Sequence, residues 1–194
     1  MNERIPTLRK KMEKAQDKRR FEHTLSVSYT AGCLAMCNGI DPEKAEIAGL
    51  LHDCAKCLTD EKRIQICEKN AIEINEIERK NPFLLHAKAG AYLAENQYDI
   101  HDQDILNAIR FHTTGRPGMT LLEKIVFIAD YIEPGRTHST KLPELRKLAF
   151  QDIERALIEI LSDTLIYLNT TDAEIDPMTK ETYDYYHNKK DEKI

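Results

Sequence analysis

No apolar run in this 194-residue chain approaches the roughly 20 consecutive residues that a membrane-spanning helix needs. The opening stretch, MNERIPTLRKKMEK, lacks the apolar segment of a secretory signal. Together these absences lead to the expectation of a cytoplasmic protein with no membrane partner. A basic excess is missing too: 28 Lys and Arg stand against 33 Asp and Glu, and the net charge is −5 with both signs interspersed. A broad nucleic-acid surface needs the opposite balance, so no nucleic-acid partner is expected, whereas a local basic pocket for a small phosphorylated ligand stays compatible. There is no alternating strand pattern of useful length, no internal repeat and no low-complexity tract. A paired cysteine framework is missing: five residues, an odd number without an export signal, read as free thiols. Cys54 and Cys57 form a single C-x-x-C with no second pair to complete a four-thiolate cage. This pair and Cys33/Cys37 are each spaced to share one helical face, where cysteine packs as a small hydrophobe.

What is present is a folded composition, 41% apolar and 31% charged. The length suits one domain with a core that needs no staples. Helical periodicity dominates. An apolar-rich helix is expected from about Arg20 to the Asn38-Gly39 stop, and another opens at Asp41-Pro42, a capping residue followed by proline at the first helical position. Thr59 or Asp60 caps a short polar helix. Residues 70–82 read as an irregular link with a short helical turn. Further helices are expected over Phe83–Gln97, Asp102–Phe111 and Thr120–Ile132, and a last long one from Pro143 or Asp152 to Asn169, before a tyrosine-rich tail able to form a terminal helix. The fold class is all-α, a bundle of about seven helices.

The polar residues that interrupt these helices carry the chemistry. AEIAGLLHD ends in His52-Asp53, ILNAIRFHTTG delivers His112, and LLEKIVFIAD ends in Asp130. His86 lies just inside a helix start and His23 on a core-like helix. A lone histidine on an apolar helix is usually a hydrogen-bonded core residue, and a lone buried aspartate a cap or ion-pair partner. Two carboxylates among four histidines, all in helical contexts, are another matter, because an unpartnered buried carboxylate costs several kcal/mol or neutralises itself. A divalent cation removes that cost by accepting imidazole and carboxylate together. His101, His138 and His187 read as solvated.

His23, His52-Asp53 and Asp130 resemble the H…HD…D signature of the HD superfamily, and His86 and His112 resemble its two-metal branch. The segments RRFEHTLSV, AGLLHDCAK, LLHAKAGAYLA, AIRFHTTGRPGMTLLEKIVFIADYIEPGR and the later I-D-P-M-T are similar to the YqeK family, whose members are symmetrical diadenosine tetraphosphate hydrolases. The likeness runs from about Arg19 to Thr179, and the HTTG-to-EPGR stretch is its most specific part. It implies a helical phosphohydrolase domain over residues 1–171, with residues 172–194 as a tail or short helix near the nucleotide.

It also implies two metal ions bridged by Asp53, which adjoins His52. One ion would take His23, His52 and Asp130, and the other His86 and His112. Such a pair, about 3.5–4 Å apart, activates water and stabilises in-line displacement at phosphorus. Nitrogen and oxygen donors fit divalent or mixed-valence iron, manganese, cobalt, nickel or zinc, and disfavour calcium and magnesium; the resemblance points to iron. Asp53 and Lys56 are the expected catalytic residues. Arg20, His23, Lys56, His112, Thr113 and Arg136 are expected to meet phosphate, with Lys88, Arg110 and Arg116 as weaker candidates. The resemblance adds Glu174, Ile175, Asp176, Pro177, Met178 and Thr179 beside the nucleotide. The expected partner is a small dinucleoside polyphosphate, and a homodimer is compatible. The competing readings are another HD phosphohydrolase, acting on a mononucleotide, a guanosine polyphosphate or a cyclic dinucleotide, and a non-catalytic metal- or nucleotide-sensing module.

Overall fold

The computed structural model describes residues 3–171 and 174–191. Eleven α-helices and one 3₁₀ turn make it all-α, with no strand among the described residues. Helix α1, Arg4–Ala15, leads into α2, Lys18–Cys37, whose N-cap Asp17 accepts from the Arg20 N–H. Gly39 at φ 71° stops α2, and Asp41 with Pro42 starts α3, Pro42–Leu51. After a turn over 52–58 come α4, Asp60–Lys69, capped by Thr59, and α5, Glu76–Lys80, opened by an Asn75/Glu78 capping box. A 3₁₀ turn, Pro82–Leu85, runs into α6, His86–Asn96. Then follow α7, Gln103–Arg110, α8, Leu121–Ile132, α9, Leu142–Ala149, α10, Ile153–Asn169, and α11, Pro177–Asp191.

Helices α2, α3, α7 and α8 pack on one another as the centre. α8 is apolar nearly all round, with Leu122, Ile125, Val126, Phe127, Ile128, Ala129 and Ile132 all buried, as a helix surrounded by neighbours must be. α2 and α3 meet closely at Gly49, where a Cβ would come within 2.8 Å of the Ser28 Cα. That approach seats α3, and with it the His52-Asp53 pair that follows, close against α2.

Four expectations need correction. Helix α1 has no counterpart in the sequence reading, because only Leu8 and Met12 are buried on it, too thin a stripe to register as a period. Of the two starts offered for the last long helix, Asp152 holds and Pro143 does not: α10 runs Ile153–Asn169, and α9 is a separate helix broken from it at Phe150–Asp152, where Asp152 caps α10 by accepting from the Arg155 N–H. The helix total accordingly exceeds the seven expected. Cys54 and Cys67 do pack inside, but Cys33, Cys37 and Cys57 are exposed, so spacing on one face did not mean an inward face.

The expected boundary between residues 171 and 172 borders residues 172–173, which with 192–194 lie outside the described residues. α11 packs on α10 and buries Thr182 and Tyr186, and the Tyr186 hydroxyl accepts from the Met119 N–H at 2.7 Å.

Candidate metal centre

Three histidines at helix ends share one local device. The last carbonyls of a helix have no intrahelical partner. His52, just past α3, donates from Nδ1 to the Gly49 carbonyl at 2.6 Å, and His112, just past α7, donates to Ile109 at 2.8 Å. His86, the first residue of α6, donates to the Phe83 carbonyl of the 3₁₀ turn at 2.7 Å. His23 lies inside α2, where the carbonyls are already engaged, and its Nδ1 turns instead to the Glu133 carboxylate at 3.1 Å. Each Nδ1 therefore carries a proton, and each Nε2 presents a lone pair.

Those lone pairs converge. The Nε2 atoms of His23 and His52 are 3.3 Å apart, and those of His86 and His112 are 3.2 Å apart. Asp53 lies between the pairs. Its Oδ2 is 3.5 Å from His52 Nε2 and 3.8 Å from His23 Nε2, while its Oδ1 is 3.3 Å from His86 Nε2 and 3.6 Å from His112 Nε2. Asp130 Oδ1 closes the first group, 3.1 Å from His23 Nε2 and 3.8 Å from His52 Nε2. All six side chains singled out in the sequence as ligands thus stand in one cluster, although they come from α2, the turn after α3, α6, the turn after α7, and α8.

Acceptors facing acceptors repel unless a cation lies between them. Asp53 Oδ1 is buried and has no hydrogen-bond donor. Metal–nitrogen bonds of about 2.0–2.1 Å place neighbouring ligand atoms roughly 3–3.4 Å apart in octahedral or tetrahedral shells, close to the spacing seen here. The donor set therefore fits transition-metal ions. Burial alone would raise the Asp53 pKa, but His52, His112 and His86 outweigh it and hold the carboxyl well below its ordinary value. Asp130 is likewise held low against burial by His23, His52 and Arg136. His86 is lowered by burial and by the Lys56 ammonium, which keeps its imidazole neutral.

Cationic side chains ring the cluster. Arg20 Nη1 donates to Asp53 Oδ2 at 2.6 Å and Arg136 Nη2 to Asp130 Oδ1 at 2.5 Å. Both line a cavity of about 260 Å³ with Arg19, Ser26 and His23. Lys56 Nζ lies 3.2 Å from His86 Nε2, and its pKa is lowered by burial and the nearby Arg20 against the pull of Asp53 and Asp130. Thr113 lines a second, smaller cleft of about 90 Å³ with Lys88, Arg110, Phe111, Asp176 and Met178.

The 174–179 segment is mixed. Asp176 accepts from Asn75 and from the Met178 N–H, which caps α11; Thr179 is buried; Glu174 pairs with Lys80 at the surface. Ile175 and Pro177 are not among the residues lining that cleft. Lys88 pairs with Glu78 inside that cleft, and Arg116 pairs with Glu123 away from it. His101, His138 and His187 are exposed.

Sequence reasoning passed over the residues that support the cluster. Gln16, at the end of α1, donates to the Asp53 carbonyl at 3.2 Å. Arg63 donates to the Lys56 and Leu58 carbonyls and so shapes the turn that carries Lys56. Glu133 holds His23, and its only signal was its place beside Pro134-Gly135, which read as a helix breaker.

The HD domain family model matches residues 20–135. The symmetrical bis(5'-nucleosyl)-tetraphosphatase of Bacillus subtilis (strain 168) is 43% identical over 166 residues, 86% of this chain and 88% of that protein. The protein of the same name from Staphylococcus aureus (strain NCTC 8325 / PS 47) is 37% identical over 184 residues, 94% of this chain and 93% of that one. Among solved structures, a protein from Clostridium acetobutylicum described as a predicted HD superfamily hydrolase involved in NAD metabolism superposes with a TM-score of 0.91 at 42% identity, covering 95% of this chain and 97% of that one.

Proposed function

The chain belongs to the HD-domain family, alongside the symmetrical bis(5'-nucleosyl)-tetraphosphatases, and from that premise we propose that it hydrolyses diadenosine tetraphosphate at the middle of its phosphate chain, releasing two ADP. The observation that carries the reading is the placement of Asp53, whose two oxygens face two different histidine pairs. One ion would be held by His23, His52, Asp130 and Asp53 Oδ2, and the other by His86, His112 and Asp53 Oδ1. When bound, such a pair supplies activated water and charge neutralisation at phosphorus.

The chain's own residues do the rest. Arg20 and Arg136, facing the larger cavity, hold phosphate oxygens, and Lys56 neutralises charge beside His86. Thr113 offers a hydroxyl to phosphate in the smaller cleft, where Asp176 and Met178 bring the 174–179 segment beside the nucleoside. A terminal phosphate with a second pKa near ~6 leaves as an anion, so ADP departs without a dedicated acid. The all-nitrogen-and-oxygen donor set is compatible with iron, and the family likeness favours it over manganese, cobalt, nickel or zinc. Five free thiols fit a reducing, cytoplasmic setting.

The test is elemental analysis of the purified protein followed by chromatography of the products from diadenosine tetraphosphate. Two transition-metal ions per chain and ADP as the sole nucleotide product are expected. ATP with AMP, or metal-free protein with full activity, would overturn the reading.

A further inference from the structure

The four imidazoles are not held alike. His52, His86 and His112 each lean on a neutral backbone carbonyl, whereas His23 alone leans on a carboxylate, that of Glu133. Glu133 is only 3% exposed, and the turn after α8 is built around it. Its Oε2 accepts from the Gly135 N–H at 2.6 Å, and a Cβ on Gly135 would come within 3.0 Å of that oxygen, so a side chain there would press the carboxylate aside by a few tenths of an ångström. From α9, the Arg146 guanidinium donates to the carbonyls of Ile132, Glu133 and Arg136 at 2.8–3.0 Å, fastening the turn from outside. A carboxylate behind an imidazole fixes its tautomer and makes its other nitrogen a stronger donor. Arg20 and Arg136 sit on carboxylate oxygens at the first position, whereas at the opposite end the Lys56 ammonium, 3.2 Å from His86 Nε2, stands against an imidazole lone pair that a cation there would use.

We propose that Glu133 is a positioning residue that makes the two metal positions unequal, so that ions load in order, the His23–His52–Asp130 position first and the His86–His112 position second. The proposal rests on the two-ion reading above. It assigns a role to the E-P-G-R turn beyond phosphate contact, and it makes the second, weaker position the one that sets how much enzyme is active at limiting metal.

The experiment is a chelator-competed titration of metal-stripped protein with Zn²⁺, read as two binding constants. Wild-type protein should show two classes of site separated by roughly tenfold or more, and Glu133→Gln should weaken the tighter class by about 10–100-fold while leaving the weaker one unchanged. Arg146→Met, which loosens the turn without touching a ligand, should produce a smaller loss confined to the same class; it carries the test if Glu133→Gln fails to regain native helix content by circular dichroism. Two unchanged constants in both variants, or equal weakening of both classes, would overturn the proposal while leaving the two-ion reading intact. Wild-type protein that takes up fewer than two zinc ions would remove the two-ion reading itself.

Discussion

At the level of single side chains, Asp53 is the point on which the cluster depends. It is 3% exposed, charged, and flanked on both oxygens by acceptor nitrogens. On the two-ion proposal, replacing Asp53 with alanine should abolish stoichiometric metal binding and lower turnover by several orders of magnitude, since both ions would lose a shared ligand. Helix content should stay native, because no backbone element hangs on that side chain. Metal analysis and product assays on the Asp53→Ala protein check this, and retained metal with retained turnover would contradict it.

A second expectation concerns pH. Burial alone would lower the His52 pKa, but the Asp53 and Asp130 carboxylates more than offset it and raise the pKa above its ordinary value. Near neutral pH a proton therefore competes with a cation for the His52 Nε2 lone pair more strongly than it would at a free imidazole. Metal affinity should rise with pH through that range, by up to about tenfold per pH unit for one proton released. The carboxylates, whose pKa values are lowered, stay ionised and add nothing to this slope. Zn²⁺ affinities compared at pH 6 and pH 8 test it; equal values would exclude proton release from an imidazole ligand.

The helices turn local sequence into ligand placement through their ends. Asp41-Pro42, Thr59, Asp102 and Asn38-Gly39 are punctuation readable without a structure, and helices begin or end at each of them. The Nδ1 contacts of His52 and His112 follow from the same punctuation, because a histidine just past a helix meets an unpaired carbonyl three residues back. Less legible was α1, where two buried residues in twelve leave almost no period. The α9–α10 break was only half legible: Asp152 stood as one candidate start, but the apolar pattern that continues across it left Pro143 as the other.

The contact between α2 and α3 yields a prediction. Gly49→Ala places a methyl 2.8 Å from the Ser28 Cα, with no flexible side chain there to yield. Overpacking of this kind costs about 1–3 kcal/mol, or several degrees of melting temperature in a domain of this size, at about 2–4 °C per kcal/mol. The shift also moves the Gly49 carbonyl that orients His52, so metal affinity should fall along with the melting temperature. Calorimetry with and without metal separates the two effects, and an unchanged melting temperature would mean that the helices can part without cost.

For the molecule as a whole, the C-terminal helix acts as a long-range staple, and ions held at the cluster would act as others. α11 reaches back over the loop after α7: Thr182 lies against Gly115, which is held at φ 65°, and Tyr186 caps the buried N–H of Met119. Tyr186→Phe leaves that N–H without a partner, a loss of about 1–3 kcal/mol, and denaturant unfolding should show it as a lower midpoint with an unchanged slope. Because the cluster draws on elements spread from α2 to α8, ions bound there also oppose global unfolding. At a free concentration one hundred times its dissociation constant, each ion should contribute about 2.7 kcal/mol. A chelator should thus lower the melting temperature by roughly 5–10 °C per ion, and a melting temperature indifferent to chelation would place the ions outside the folded core.

The amino-acid sequence by itself determined the helical class, most helix ends, and which residue types interrupt the apolar faces, because caps, breakers and periodicity act over a few neighbouring residues. Its H…HD…D pattern singled out His23, His52, Asp53 and Asp130, and its likeness to the two-metal branch added His86 and His112. Only the tertiary structure decided that Asp53 turns one oxygen to each histidine pair, that Glu133 stands behind His23, that Arg146 fastens the turn holding Glu133, and that Gln16 on an unanticipated helix reaches the Asp53 carbonyl. Those relations join residues up to 110 positions apart. Side-chain direction at such separations is set by how helices pack, which no local pattern encodes.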